Sequence, residues 1–139
     1  MPIIKRKPRT PSARYQSYVT SHDVTTNKPL KRLVRGMRST GGRNAYGRTT
    51  MWHKGGGARK KYRTIDLARA ERNVPGRVAT IEYDPNRNVR IGLVVYENGA
   101  KHYILLPEGV SIGSRVMAGE EVEAVVGNAC RLKKFQSVS

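Results

Sequence analysis

The uneven distribution of charge limits what the first half of this chain can fold into. Residues 1–63 contain 17 Lys and Arg and a single acid, Asp23, whereas residues 64–139 contain 10 bases and 9 acids. A segment with so much charge of one sign repels itself unless it meets a polyanion. The segregation therefore predicts a nucleic-acid partner. Charge alone leaves a membrane surface or an acidic protein as the alternative.

Glycines and cations alternate between residues 36 and 62. Glycine lets a backbone approach another surface closely, and Arg and Lys donate charged hydrogen bonds to phosphate. We expect this segment to be mobile in water and to order against a partner. Aromatic side chains interleave with the cations and are suited to stacking on unpaired bases, although packing of Trp52 against the domain is an equal alternative: Tyr46, Trp52, His53 and Tyr62.

The remaining sequence predicts a tail followed by short strands. Prolines and a scarcity of apolar residues predict a disordered or extended tail over residues 1–35. Alternating apolar residues and the turn residues Asn98 and Gly99 predict a β-hairpin. Five strands in so short a stretch favour a small β-barrel, and the pattern fits an OB-fold and an SH3-like barrel equally. The predicted strands cover residues 62–67, 77–83, 89–96, 101–106 and 121–126.

Catalytic, metal and cofactor sites are not predicted. The glycine-rich residues 55–61 lack the spacing of a phosphate-binding loop, and no strand and helix flank them as that loop requires. His22, His53, His102 and Cys130 do not have zinc-site spacing. No apolar run approaches the roughly 20 residues that span a bilayer, so no membrane partner is predicted.

Several motifs in fixed order resemble one family over roughly residues 1–130. They are Gly41-Gly42-Arg43-Asn44, Gly47-Arg48, His53 with Gly55-Gly56-Gly57, Tyr62-Arg63 with Ile65-Asp66, Ile81-Glu82-Tyr83-Asp84-Pro85-Asn86-Arg87, and Tyr103-Ile104-Leu105 with Pro107 and Gly109. Together they resemble the second protein of the large ribosomal subunit, of the bacterial and organellar type.

The resemblance implies an all-β fold in which a long, extended, basic Gly/Arg-rich arm precedes a five-stranded OB-like barrel. The arm would comprise residues 1–61, the barrel residues 62–130, and a short tail residues 131–139. The resemblance also implies that the protein is a structural constituent of the large ribosomal subunit. It would bind the rRNA of that subunit and support its folding and assembly near the peptidyl-transferase region, without supplying catalytic groups. The alternative function is a free OB-type protein that binds single-stranded nucleic acid outside the ribosome.

The rRNA-binding residues expected from the basic stretch and the resemblance lie mostly in the glycine-rich segment, with Arg63 and Arg87 on the RNA side of the barrel. The set is Arg38, Arg43, Asn44, Arg48, Trp52, His53, Lys54, Gly55, Gly56, Gly57, Arg59, Lys60, Lys61, Arg63 and Arg87. The chain departs from the family at Trp52, where Arg is usual, and at Ala58, where His is usual.

From the resemblance, we expect the family's SH3-like domain to be absent after residue 130. We expect other large-subunit proteins as partners and a separate chain carrying the missing half, with a fragment of a longer protein as the alternative. A split gene of this kind favours a mitochondrial ribosome, with a plastid or the bacterial cytoplasm as the other locations.

Overall fold

The protein is described by a computed structural model over residues 3–55, 57–120 and 122–131. Within these ranges the chain is all-β, as predicted, with two short 3-10 helices and no α-helix. The 3-10 helices are Ser12–Tyr15 and Lys31–Leu33. The strands are β1 (Ile3–Lys5), β2 (Ser17–Val19), β3 (Val34–Gly36), β4 (Lys61–Arg63), β5 (Gly76–Glu82), β6 (Ile91–Tyr96), β7 (Lys101–Leu105) and β8 (Arg115–Val116).

The largest sheet is antiparallel, with the strand order β7-β6-β5-β8, and is curled into a half-barrel. Residues 65–72 precede β5, and a single β-bridge at each end attaches them to the two edges of this sheet. Ile65 pairs with Tyr103 on β7, and Arg72 pairs with Ala118 just after β8. The sheet therefore has four strands and two bridging points, and the described residues do not form a closed five-stranded barrel.

Two predicted strands at the ends of this sheet differ from the structure. Of the strand predicted over residues 62–67, only the beginning is a strand, and it pairs with β3 rather than with the sheet. Glu121 lies outside the described residues, and residues 122–126 form no strand, because Asn128 donates to the carbonyls of Val125 and Glu123 in a turn. The two-residue β8 takes the edge position instead. A strand of two residues is too short for an alternating apolar pattern in the sequence to indicate it.

The core lies against one face of the sheet and consists of Val78, Ile81, Val94, Tyr96, Ile104, Val110 and Val116. A register shift between Val78 and Thr80 places both Val78 and Ile81 in the core, although they are three residues apart. Strict alternation would place Ala79 and Ile81 on one face, but the bulge reverses it, so that Ala79 is exposed and Ile81 is buried. In β7 the alternation is regular: Ile104 faces the core, and Tyr103 faces away from it.

The opposite face of the sheet is partly covered by residues 20–34, which had been predicted to belong to a disordered or extended tail. The Thr25 amide donates to the Ile81 carbonyl at 3.0 Å, and the Leu30 amide donates to the Tyr103 hydroxyl at 2.8 Å. Asp23 accepts two hydrogen bonds from the buried Arg90, at 2.9 and 3.2 Å. The anchorage is polar, so counting apolar residues could not reveal it.

Candidate nucleic-acid interface

A small hairpin over residues 42–51 projects the first group of predicted site residues. The Gly42 carbonyl accepts hydrogen bonds from the amides of Thr50 and Met51 at 3.0 and 3.2 Å, and Arg43 bridges Thr49. At the tip, the Gly47 amide donates to the Asn44 carbonyl at 3.0 Å. These bonds close the hairpin within ten residues of chain, without help from the main sheet.

The side chain of Asn44 organises the tip of this hairpin. Its Oδ1 accepts from the amides of Tyr46 and Arg48, each at 3.0 Å. An Asx side chain of this kind satisfies amides that a tight turn leaves unpaired. Asn44 was predicted as an RNA contact, and in the structure its carboxamide oxygen is already engaged in shaping the loop.

Gly42 is the position of the hairpin that requires glycine most strictly. Its φ is +76°, and a Cβ there would collide with the Met51 carbonyl oxygen. Gly47 also has a positive φ, +77°, but open space surrounds the place of its Cβ. Gly42 is therefore constrained both by backbone conformation and by the close approach of the opposite strand.

The hairpin and the turn after it expose cations and aromatic rings together. Arg43, Arg48 and Lys54 are exposed. Tyr46 is 90% exposed and Trp52 80% exposed. Trp52 therefore does not pack into the domain, which removes the structural alternative for this side chain. His53 follows in the left-handed conformation, with a φ of 57°.

A second group of predicted residues lines a groove of about 650 Å³ between residues 36–39 and 57–61. β3 and β4 pair at one end of these segments, and the Met37 amide donates to the Lys60 carbonyl at 3.4 Å. The segments then diverge and leave the groove open. Its lining carries four exposed cations from both segments, which are suited to donating to phosphate: Arg38, Arg59, Lys60 and Lys61.

Arg87 attaches the groove to the main sheet. Its guanidinium pairs with the buried carboxylate of Asp84, donates to the Tyr62 hydroxyl at 3.3 Å, and lies 5.3 Å from the centre of the Tyr62 ring. Two hydrogen bonds raise the pKa of Arg87, and the bond to Tyr62 has a larger effect than the bond to Asp84. The neighbouring Asn86 donates from Nδ2 to the Lys61 carbonyl at 2.9 Å. These contacts hold β4 in place, and the guanidinium of Arg87 is only partly exposed.

Arg63 does not lie where an RNA contact was expected. It is 8% exposed, and its Nη1 donates to the Lys61 carbonyl at 2.9 Å. Its Nε is buried and has no hydrogen-bond partner among the described residues. The structure thus places the side chain of Arg63, the last residue of β4, inside the domain. The other described site residues are exposed or, for Arg87, partly exposed. Gly56 lies outside the described residues.

Every Lys and Arg from Lys5 to Lys61 is exposed. Among the described residues, no carboxylate forms an ion pair with any of them. Asp23, the one acid of this half, is committed to Arg90, and this hydrogen bond lowers the pKa of Asp23. The first half therefore presents cations without internal counter-ions, which is the electrostatic requirement for binding a polyphosphate.

No helix within the described ranges is long and apolar enough to cross a membrane. Comparison with protein families identifies one match, to the family described as Ribosomal Proteins L2, RNA binding N-terminal domain, over residues 30–118. The matched region includes the hairpin, the groove and β3 to β8.

Proposed function

The chain belongs to the ribosomal protein L2 family, whose RNA-binding N-terminal domain it carries, and on that premise we propose that residues 36–61 form its principal contact with large-subunit rRNA. Members of this family are structural, RNA-binding proteins of the large ribosomal subunit rather than enzymes. The proposal assigns that role to the two groups of exposed residues in the hairpin and the groove.

The observation that carries the proposal is the concentration of unpaired cations on a shaped surface. Arg43 and Arg48 extend from the hairpin, and Arg38, Arg59 and Lys60 surround the groove. Forked guanidinium groups bind phosphate oxygens in pairs, and lysines supply mobile charge beside them. Neutralising phosphates in this way brings neighbouring RNA segments together and releases their counter-ions.

Stacking supplies a second part of the proposed contact. Trp52 and Tyr46 expose most of their ring surface beside the cations. Aromatic rings next to a basic surface bind unpaired bases, because every base presents a π-face. We assign Trp52 to a splayed base, in the position where the family usually has Arg.

The remaining contacts hold this surface in position. Arg87 and Tyr62 fix β4 against the main sheet, and the buried Arg63, at the end of β4, donates to the Lys61 carbonyl at its start. We therefore propose a positioning role for Arg63 and Arg87, with direct phosphate contact left to the exposed edge of Arg87. The triple glycine at residues 55–57 would let the backbone between hairpin and groove approach RNA closely.

We also propose that the sheet is an incomplete version of the OB-like barrel implied by the family resemblance. Supporting this, the segment from Ile65 to Arg72 bridges both edges of the sheet, where a fifth strand would close the barrel. The proposed division keeps residues 1–61 as the arm, of which residues 20–34 are anchored on the sheet, residues 62–130 as the barrel and residues 131–139 as a tail. A place near the peptidyl-transferase region stays a prediction of the resemblance.

The proposed function is tested by sedimentation of the tagged, full-length chain with ribosomes of its source. We expect it to sediment with large subunits and to remain bound through a high-salt wash. Release at moderate salt from intact subunits would contradict a structural role. Equal affinity for generic single-stranded RNA and for large-subunit rRNA would favour the free single-strand binder instead.

A further inference from the structure

Three cations form a row across the main sheet, outside the residues assigned to RNA above. Arg115 on β8 lies opposite Arg77 on β5, Arg77 lies opposite Val95 on β6, and Val95 lies opposite Lys101 on β7. Directly opposed residues of an antiparallel sheet point to the same face. The row therefore runs transversely over all four strands on one surface.

This surface is the face of the sheet away from the core. In the adjacent row, Val116, Gly76 and Tyr96 are opposed in the same way and are buried. Side chains alternate between faces along each strand, so the row of cations points outward. Arg77, Lys101 and Arg115 are exposed, which agrees with this assignment.

Residues 20–34 cover one end of the outer face and leave the row open. They contact Ile81 and Tyr103, farther along β5 and β7. Beside the row lies an open groove of about 340 Å³, which Arg77 and Arg115 line. The same groove contains one carboxylate, Glu97, which forms no ion pair with either arginine among the described residues.

The opposition of Arg77 and Arg115 is unfavourable for the isolated protein. Like charges directly opposite each other on neighbouring strands destabilise a sheet, and their Cα atoms are typically only about 5 Å apart. An anion bound between the two guanidinium groups would remove this repulsion. Two guanidinium groups on opposed residues can both donate to one phosphate group.

The row also connects to the cations of the first half. Lys101 lines a second open groove, of about 720 Å³, together with Arg32. Arg32 belongs to the 3-10 helix Lys31–Leu33, which continues directly into β3 and the exposed Arg35. Arg38 then begins the groove of the proposed principal contact. Exposed cations thus continue from one surface to the other.

We propose that the row Arg77, Lys101 and Arg115 is a second phosphate-binding surface, which holds another part of the same RNA backbone. The inference rests on the proposed function, because it takes the ligand to be large-subunit rRNA. The row has no exposed aromatic ring, so it binds backbone rather than bases and stabilises the complex without reading sequence. Its role is to fix the orientation of the sheet on the RNA.

The test is the salt dependence of binding to purified large-subunit rRNA, with the full-length chain. Each phosphate contact contributes about 0.7–0.9 to the slope of log affinity against log salt concentration. We expect the R77Q/K101Q/R115Q variant to have a slope shallower by about 2 and a weaker affinity at low salt. The matched R77K/R115K variant, which keeps the charge, should retain most of the wild-type slope.

A single charge reversal separates RNA binding from folding. Arg115→Glu places an acid opposite Arg77, so the sheet should become more stable and the thermal unfolding midpoint should rise. RNA affinity should nevertheless fall, and by more than in Arg115→Gln. Stability and affinity that fall together would overturn the inference, since the row would then act through the fold.

The outcomes also distinguish the inference from the proposed function. If R77Q/K101Q/R115Q keeps the wild-type slope while R43A/R48A/K54A lowers it, the second surface is wrong and the principal contact stands. This outcome is also expected if the row binds an acidic protein instead of RNA. If the wild-type chain does not prefer large-subunit rRNA over generic RNA, the proposed function fails, and the inference fails with it.

Discussion

Individual side chains in the glycine-rich segment differ in what they contribute, although the sequence presents them as one basic run. Asn44 uses its side chain to shape the hairpin, and the side chain of Arg63 is buried within the domain. The Trp52 side chain, in contrast, is 80% exposed and makes little contact with the rest of the domain. Composition cannot separate these roles, because it does not record which polar groups are already satisfied within the protein.

Replacement of Trp52 tests base stacking. Trp52→Ala should weaken rRNA binding by about 5- to 150-fold, since stacking contributes roughly 1–3 kcal/mol per base. Trp52→Phe should retain much of the affinity, because it keeps a ring. The chain has a single Trp, so its intrinsic fluorescence reports on this site directly. An emission spectrum unchanged on saturation with rRNA would contradict the stacking assignment.

Gly42 and Gly47 form a matched pair for testing the hairpin. Each adopts a positive φ, which costs an alanine roughly 1–2 kcal/mol. Gly42→Ala adds a collision with the Met51 carbonyl and should open the hairpin, whereas Gly47→Ala meets open space. We expect faster tryptic cleavage after Arg43 and Arg48, and weaker rRNA binding, in Gly42→Ala than in Gly47→Ala. Equal behaviour of the two variants would show that the close approach is not needed.

At the level of elements, the hairpin and the main sheet are stabilised separately. The hairpin closes through hydrogen bonds among residues 42–51, while the core cluster is drawn from β5 to β8 and Val110. Loss of cations from the hairpin therefore leaves the core intact. The sequence identified β5, β6 and β7 well, because their alternation is long enough to be seen, but it could not locate the bulge in β5.

The R43A/R48A/K54A variant tests this separation. Charge-assisted hydrogen bonds contribute roughly 1.5–3 kcal/mol each, so rRNA affinity should fall by about 100-fold or more, and incorporation into subunits should be impaired. Circular dichroism should be unchanged. The K5A/K7A/R9A variant removes the same charge from the amino-terminal segment and should lose less affinity. An unfolded sheet in the hairpin variant would refute the separation of roles.

At the scale of the whole molecule, the polar contacts of residues 20–34 join the basic half to the sheet. Asp23 and Arg90 form the most direct of these, and Arg90 also donates to the Thr20 carbonyl at 2.9 Å. Arg90 is 5% exposed, so loss of Asp23 would leave a buried charge without its partner. Such a loss costs about 3–5 kcal/mol in a fully buried pair and less here, because the Asp23 side chain is 40% exposed.

The pH dependence of stability tests this anchor. Arg90 holds the pKa of Asp23 below its ordinary value of 3.8 in the folded protein. The stabilisation is therefore present above that ordinary pKa and is lost as the pH falls through the lowered one. Asp23→Asn should be less stable at neutral pH and should lose less stability on acidification below about pH 4 than the wild type. Thermal unfolding across this range measures both effects.

Glu71→Gln is the matched control for that experiment. It removes a carboxylate from a partly exposed pair with His102, in which the nitrogen and oxygen are 3.7 Å apart. Pairs of this kind contribute little to stability. If Glu71→Gln lowered the thermal stability as much as Asp23→Asn, the loss of any carboxylate, rather than of the Asp23–Arg90 pair, would explain the effect.

By itself, the sequence determined the all-β class, the three long strands β5, β6 and β7, and the basic half that requires a polyanion, because periodicity and net charge are properties of the chain. It also carried the motifs of the L2 family. Only the tertiary structure decided that residues 20–34 belong to the domain, that Arg63 is buried, and that Arg77, Lys101 and Arg115 form one row. These depend on which backbone groups and strands become neighbours, and strand register brings together residues that are far apart in sequence.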